Sequence, residues 1–187
     1  MSSVNSKEGL TFCKVKRFAS LPFSSEKTST YLSVKRFSEI SAERLQADGI
    51  QGILLDADGV LGPQDCLEFP EENVRHTLDL IAHGLKVAIY TNGDDDRFDQ
   101  FTGIPVVRNV PAKPDPKGFE YAVSQILEMN DPSNVCMVGD NYVTDGGAVD
   151  AGLKFIYVEP IPNGAEKLIH RITRRFALFC AKQSSLR

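Results

Sequence analysis

The chain has 187 residues, of which 42% are hydrophobic and 25% charged, with a formal net charge of −4. These are the proportions of a soluble globular protein with one sizeable core. No apolar stretch is long enough to span a bilayer, no signal-peptide h-region stands near the N-terminus, and the four cysteines form no Cys-x-x-Cys pair, which excludes a spanning helix and argues against a secreted disulfide framework or a zinc site.

The charge is unevenly distributed. Residues 1–36 carry 7 basic and 2 acidic side chains, residues 37–165 carry 8 and 22, and residues 166–187 carry 6 and 1. An acidic body with two basic ends suits contact of the ends with an anionic surface, though solubility alone also accounts for it. A nucleic-acid partner is not expected. The scattered cysteines fit a reducing, cytoplasmic setting. His76, His83 and His170 share no metal-ligand spacing and read as helix-surface residues.

Residues 1–30 are rich in Ser, Thr and Lys and read as a flexible basic leader ahead of a single domain over 31–187. The leader has the basic, acid-poor character of an organellar targeting segment, against which stand its few arginines and Glu8 and Glu26. Ser41 is placed to cap a short helix that ends near Gly49. Strands are then expected near 52–56, 85–91, 104–108, 134–139 and 154–158. Helices are expected near 71–83, 94–101, 116–129, 143–151 and 164–181. Such alternation predicts βαβ units, a mostly parallel sheet and helices on both faces.

Three strands end in chemically pointed residues. Ile53-Leu54-Leu55 runs into Asp56-Ala57-Asp58-Gly59. Two carboxylates crowded at a strand end repel each other and call for a cation or a shared proton. Lys86–Tyr90 runs into Thr91-Asn92-Gly93, and Val135–Val138 into Gly139-Asp140, followed by Thr144-Asp145. Between the last two, Ala112-Lys113-Pro114 sets a lysine just before a helix start. Taken singly, each has a bland reading: Thr91 as a strand-end cap, Lys113 as a solvated charge, Asp140 as a helix N-cap. Asp94, Asp95 and Asp96 resemble a metal cluster but read as solvent-facing residues at a helix N-terminus.

The order Asp-x-Asp, Thr, Lys, Gly-Asp…Asp resembles the haloacid dehalogenase (HAD) superfamily of aspartyl-phosphate hydrolases. The resemblance implies a three-layer, Rossmann-like α/β fold with a parallel sheet of order 5-4-1-2-3. The connections after the first and second strands are too short for a cap domain, so the site is expected to be open. The same resemblance implies Asp56 as nucleophile, Asp58 as general acid and base, Thr91 and Asn92 as phosphate-binding residues, and Lys113 as the neutralising cation. It also implies Mg²⁺ held by the Asp56 carboxylate, the Asp58 main-chain carbonyl and Asp140, with Asp145 nearby.

Gly49–Asp56, Pro111–Pro114, Val138–Asp145 and Val158–Ile161 further resemble the capless subclass IIIA phosphatases of the YqeG type. Mitochondrial phosphatidylglycerophosphate phosphatases belong to the same broad family. Gly59-Val60 stands where Asn-Thr is more usual, and Asn141 where Gln or Arg is often seen. The C-terminal stretch places Leu168, Ile172, Phe176 and Phe179 on one helical face, flanked by Lys167, Arg171, Arg174, Arg175 and Lys182. Such a helix either docks on the sheet or lies on an anionic membrane. Three functions follow: hydrolysis of a lipid head-group phosphate, hydrolysis of a soluble metabolite phosphate, or a non-catalytic scaffold on the same fold.

Overall fold

The computed structural model describes residues 11–93, 97–162, 176, 178 and 179. In chain order its main elements are α1 (Phe12–Ser20), β1 (Leu32–Val34), α2 (Ala42–Ala47), β2 (Gly52–Leu55), α3 (Glu71–Ala82), β3 (Lys86–Ile89), α4 (Pro116–Tyr121), β4 (Val135–Gly139) and β5 (Lys154–Val158). The strands form one sheet of order β1-β5-β4-β2-β3, every pairing parallel.

Side-chain alternation along the strands divides the core in two. Ile53 and Leu55, Val87 and Ile89, Cys136 and Val138, and Ile156 and Val158 face one layer with Leu45 and Leu80. Leu54, Ala88, Met137, Phe155 and Tyr157 face the other, with Phe119, Val123 and Ala148. A period of two in a strand buried on both sides has this result. Each such aliphatic side chain contributes about 1.5–3 kcal/mol on leaving water, so the central strands are firmly placed. The Ser41 cap forms as expected, its hydroxyl accepting from Arg44 N at 3.1 Å.

The strands read at 154–158, 134–139, 52–56 and 85–91 take the 5-4-1-2 order. The stretch near 104–108 continues it only as an isolated bridge between Ile89 and Val106. Pro105 lacks the amide hydrogen that a longer ladder would need. β1, three residues long and without a legible period, extends the opposite edge beside β5. The helix read at 116–129 is α4 followed by a π-helical turn over Ala122–Ile126, and that read at 143–151 is a run of 3₁₀ turns over Asp145–Ala151.

Part of the segment read as a flexible leader is a helix packed on the body. α1 is capped by Thr11, whose hydroxyl accepts from Lys14 N at 3.3 Å. Its Arg17 is buried: Nε donates to Tyr142 O at 3.0 Å, Nη2 to Lys27 O at 2.7 Å and also to Gly146 O, and Nη1 pairs with Asp150. A long-range anchor of this kind is invisible to local periodicity. Residues 1–10, Asp94–Asp96 and most of the helix expected at 164–181 lie outside the described residues. Of the latter, the Phe176 ring lies 5.2 Å from that of Phe18, and Leu178 packs against the second core cluster.

Candidate active site

The strand register assembles the site. Leu55 pairs with Val138 of β4 and with Ile89 of β3, so the residues that follow β2, β3 and β4 emerge side by side at one edge. Asp56 N still donates to Val138 O at 2.9 Å, and Tyr90 N to Leu55 O at 2.8 Å. The chain leaves β2 and β4 toward opposite faces of the sheet. The crevice between them is where open α/β sheets bind ligands.

Asp56, Asp140 and Asp145 are all buried there and offer carboxylate oxygens within 4.8 Å of one another. Lys113 reaches into the group: its Nζ lies 2.8 Å from Asp56 Oδ1 and donates to Asp145 Oδ1 at 2.6 Å. The lysine side chain is itself 2% exposed, which decides that its charge answers to these carboxylates rather than to water. Burial alone would lower its pKa, but Asp145 and Asp56 overcome that and hold it above the usual lysine value. Asp56 moves up as well. Burial pushes its carboxyl well above the ordinary range, the charges of Asp145 and Asp140 add to the shift, and Lys113 only partly offsets it.

Two glycines permit this crowding. Gly59 has φ +85°, and a Cβ there would strike the Asp140 carboxylate. A Cβ on Gly139 would collide with the Asp145 side chain. Asp145 is fixed from its other end, since Oδ2 accepts from Asn141 N at 3.1 Å. The Asn141 side chain closes the same turn by accepting from Val143 N at 2.9 Å.

Three buried carboxylates against one lysine enclose excess negative charge in an all-oxygen donor set. That set fits a small, hard divalent cation such as Mg²⁺, whose charge would offset the carboxylate crowding around Asp56. Asp56, Asp140 and Asp145 are the side chains that could hold it.

The other residues singled out in the sequence are placed as follows. Thr91 is buried, and its hydroxyl accepts from Gly93 N at 3.2 Å. Asn92 turns its side chain to the Lys113 main chain, accepting from Lys113 N at 2.8 Å and donating to Lys113 O at 3.1 Å. That side chain holds the main chain of Lys113. The Asp58 carboxylate stands apart from the three-carboxylate cluster: its Oδ1 accepts from Arg97 Nη2 at 2.6 Å and from Asp65 N at 3.0 Å.

Two participants escaped the sequence reading. The Tyr90 ring lies 5.6 Å from Lys113 Nζ, and its hydroxyl donates to Pro111 O at 2.9 Å, bracing the loop that delivers the lysine. Arg97 is buried beside Asp58. Its only sequence signal is a basic residue set among Asp94–Asp96 and Asp99.

Comparison with known proteins assigns the chain to a family. Residues 33–152 match the haloacid dehalogenase-like hydrolase family. The chain is 29% identical over 146 residues to a protein named probable phosphatase YqeG from Bacillus subtilis (strain 168), covering 76% of this chain and 83% of that one. It is also similar, at 21% identity and a TM-score of 0.42, to the solution structure of the core domain of "a putative phosphoglycolate phosphatase" from Streptococcus pneumoniae TIGR4, over 68% of this chain and 95% of that one. The chain belongs to the haloacid dehalogenase-like hydrolase family, as an enzyme of the phosphatase type.

Proposed function

We propose that the protein is a Mg²⁺-dependent phosphomonoester hydrolase that works through an aspartyl phosphate on Asp56, and that its substrate is the lipid phosphatidylglycerophosphate. The observation that carries the chemistry is the buried Asp56 carboxylate, flanked by Lys113 and by the acidic pair Asp140 and Asp145 at the mouth of the sheet. Mg²⁺, when bound by these carboxylates, supplies the positive charge that lets an anionic nucleophile meet an anionic phosphate.

The chain's own residues do the rest. An Asp56 oxygen attacks phosphorus, and the bond from phosphorus to the leaving oxygen breaks. Asp58 gives that oxygen its proton. Water then attacks the phosphoryl group and gives its proton back to Asp58, and the bond from phosphorus to Asp56 breaks, restoring both carboxyl groups. Lys113 holds the nucleophile in place through its 2.8 Å contact and spreads positive charge toward the phosphoryl oxygens. Thr91 and the Asn92 N–H orient those oxygens.

The lipid assignment rests on the site's surroundings. Among the described residues, the β2–β3 and β3–β4 connections hold helices and loops and no second sheet that would form a lid. An open crevice suits a head group whose remainder stays outside. Phe12 and Phe23 are exposed within the basic N-terminal stretch, and Phe176 and Phe179 within the basic C-terminal one. Apolar groups among basic ones suit peripheral contact with an anionic membrane from the cytoplasmic side. On this reading residues 31–187 form the catalytic domain and residues 1–30 its basic leader.

Phosphate release from phosphatidylglycerophosphate in mixed micelles, with Mg²⁺ or with chelator, tests the proposal. Release by wild type with Mg²⁺, and by neither the chelated enzyme nor Asp56→Asn, is expected. Hydrolysis of 4-nitrophenyl phosphate without any release from the lipid would keep the chemistry and reject the lipid.

A further inference from the structure

Arg97 lies outside every motif that defines the site, yet it reaches the one motif carboxylate that the buried cluster leaves out. Its Nη2 donates to Asp58 Oδ1 at 2.6 Å, a short charge-assisted bond. Nη1 donates to Cys66 O at 3.0 Å. The guanidinium carbon lies 5.4 Å from the centre of the Phe69 ring and 5.8 Å from that of Phe98. The arginine side chain is 4% exposed, against 25% for that of Asp58. A surface arginine would sample many rotamers, whereas this one is confined by two rings and a main-chain carbonyl.

The segment that carries Arg97 is pinned to the loop after the first motif by a second clamp. Gln100 accepts from Phe69 N at 2.7 Å and donates to Phe69 O at 3.2 Å. The 66–69 loop and the 97–101 segment are therefore tied to each other at two points. Asp58 itself sits on a turn, where a two-torsion side chain has several staggered positions open to it. Among the described residues, both donors to its carboxylate, Arg97 Nη2 and Asp65 N, take Oδ1.

We infer that Arg97 is the positioning residue of the acid–base step: it fixes Asp58 through Oδ1, so that Oδ2 is the oxygen that exchanges the proton with the leaving group and with water. The inference rests on the role given to Asp58 above. It adds a residue of the β3–β4 connection to the catalytic apparatus that follows β2. Arg97 touches neither the substrate nor the transferred proton. Its effect runs through the geometry of Asp58, and a proton donor misplaced by about an ångström loses much of its advantage.

The test exploits leaving-group chemistry. A basic leaving oxygen needs a proton as its bond to phosphorus breaks, and an acidic phenol does not. Hydrolysis of 4-nitrophenyl, phenyl and benzyl phosphate is measured with Mg²⁺ for wild type, Asp58→Asn, Arg97→Met, Arg97→Lys and the double variant Asp58→Asn/Arg97→Met. Thermal melting reports folding.

General acid catalysis is worth about 10²–10⁴-fold, so Arg97→Met should lose about 30–100-fold in kcat/KM on benzyl phosphate but under about threefold in kcat/KM on 4-nitrophenyl phosphate, because kcat/KM reports the step that expels the leaving group and not the later attack of water. Arg97→Lys should recover part of the loss, because a lysine brings the charge without the planar fork. The double variant should be no slower than Asp58→Asn alone, since both changes disable one step. Equal losses in kcat/KM on all three esters, or losses that multiply in the double variant, would overturn the role of Arg97. If Asp58→Asn itself hydrolyses benzyl phosphate at the wild-type rate, the acid–base role of Asp58 falls and the inference falls with it.

Discussion

Two buried cations serve opposite ends in this molecule. Arg17 in α1 is 3% exposed, and each of its three nitrogens donates to an oxygen: those of Tyr142, Lys27 and Gly146 in the main chain, and the Asp150 carboxylate. One charge meets one carboxylate, and the remaining donors meet main-chain carbonyls. Lys113 is equally buried but faces three carboxylates, two of them in direct contact. Folding alone gains nothing from that surplus of negative charge. A balanced buried ion fastens pieces of chain together, and an unbalanced one marks a place kept ready for something from outside.

The contrast breaks most visibly at Asp56. With Mg²⁺, Asp56→Asn should lower kcat on 4-nitrophenyl phosphate by about 10⁴-fold or more, the scale on which nucleophile removal is felt. In metal-free protein the same substitution should leave Tm unchanged or raised, because it relieves carboxylate crowding. A clear fall in metal-free Tm would mean that the Asp56–Lys113 pair stabilises the fold, as the Arg17 pair does.

Arg17→Leu should behave in the opposite way. Asp150 keeps contact with water, so the loss should lie near the low end for a broken buried pair, about 3 kcal/mol. For a chain of this size that lowers Tm by roughly 6–12 °C. Activity of the protein still folded at low temperature should change by less than about tenfold. A loss of activity as deep as that of Asp56→Asn without a fall in Tm would place Arg17 with the chemistry.

Mg²⁺ sharpens the comparison at a smaller scale. At a hundred times its Kd, the cation should stabilise the wild type by about 2.7 kcal/mol, and Asp56→Asn by distinctly less. Melting curves with and without chelator measure both.

The weakest effect is the pH dependence of the metal-free protein. Folded Asp56 holds its proton to higher pH than the unfolded chain does. The associated stability is therefore full below the ordinary carboxylate pKa of about 3.9 and is lost as pH rises through the raised value. The slope should reach at most about 1.4 kcal/mol per pH unit and should vanish in Asp56→Asn. A wild-type profile identical to that of the variant would show that crowding, not ionisation, governs the site.

Much of this was legible in the sequence because each signal is local. Ile53-Leu54-Leu55 must be buried on both faces, and the abrupt Asp56 that follows must lie at a strand end. The same holds for Val135–Gly139 before Asp140. The sheet order that the HAD resemblance implies brings Asp56, Asp58 and Asp140 to one edge; the carboxylates of Asp56 and Asp140 do meet there, with Asp145, while that of Asp58 turns to Arg97. Local patterns failed where a partner comes from far away. The stretch near 104–108 has strand-like residues, but Pro105 allows only a bridge. β1 is too short to show alternation and exists because β5 offers it an edge. Nothing local shows that the Asn92 side chain pairs with the main chain of Lys113, 21 residues away. The Ser, Thr and Lys content of residues 1–30 reads as a flexible leader, and nothing local announces that Arg17 reaches Asp150, 133 residues along.

The sequence by itself thus determined the strands of the sheet's centre, the order of the motifs and the chemical type of every group in the crevice. Hydrophobic period and residue chemistry are written residue by residue. Tertiary structure alone decided which carboxylates crowd together, which one Arg97 holds apart, and which buried cation is balanced. Those outcomes depend on distances of a few ångströms between segments that only the completed fold brings into contact.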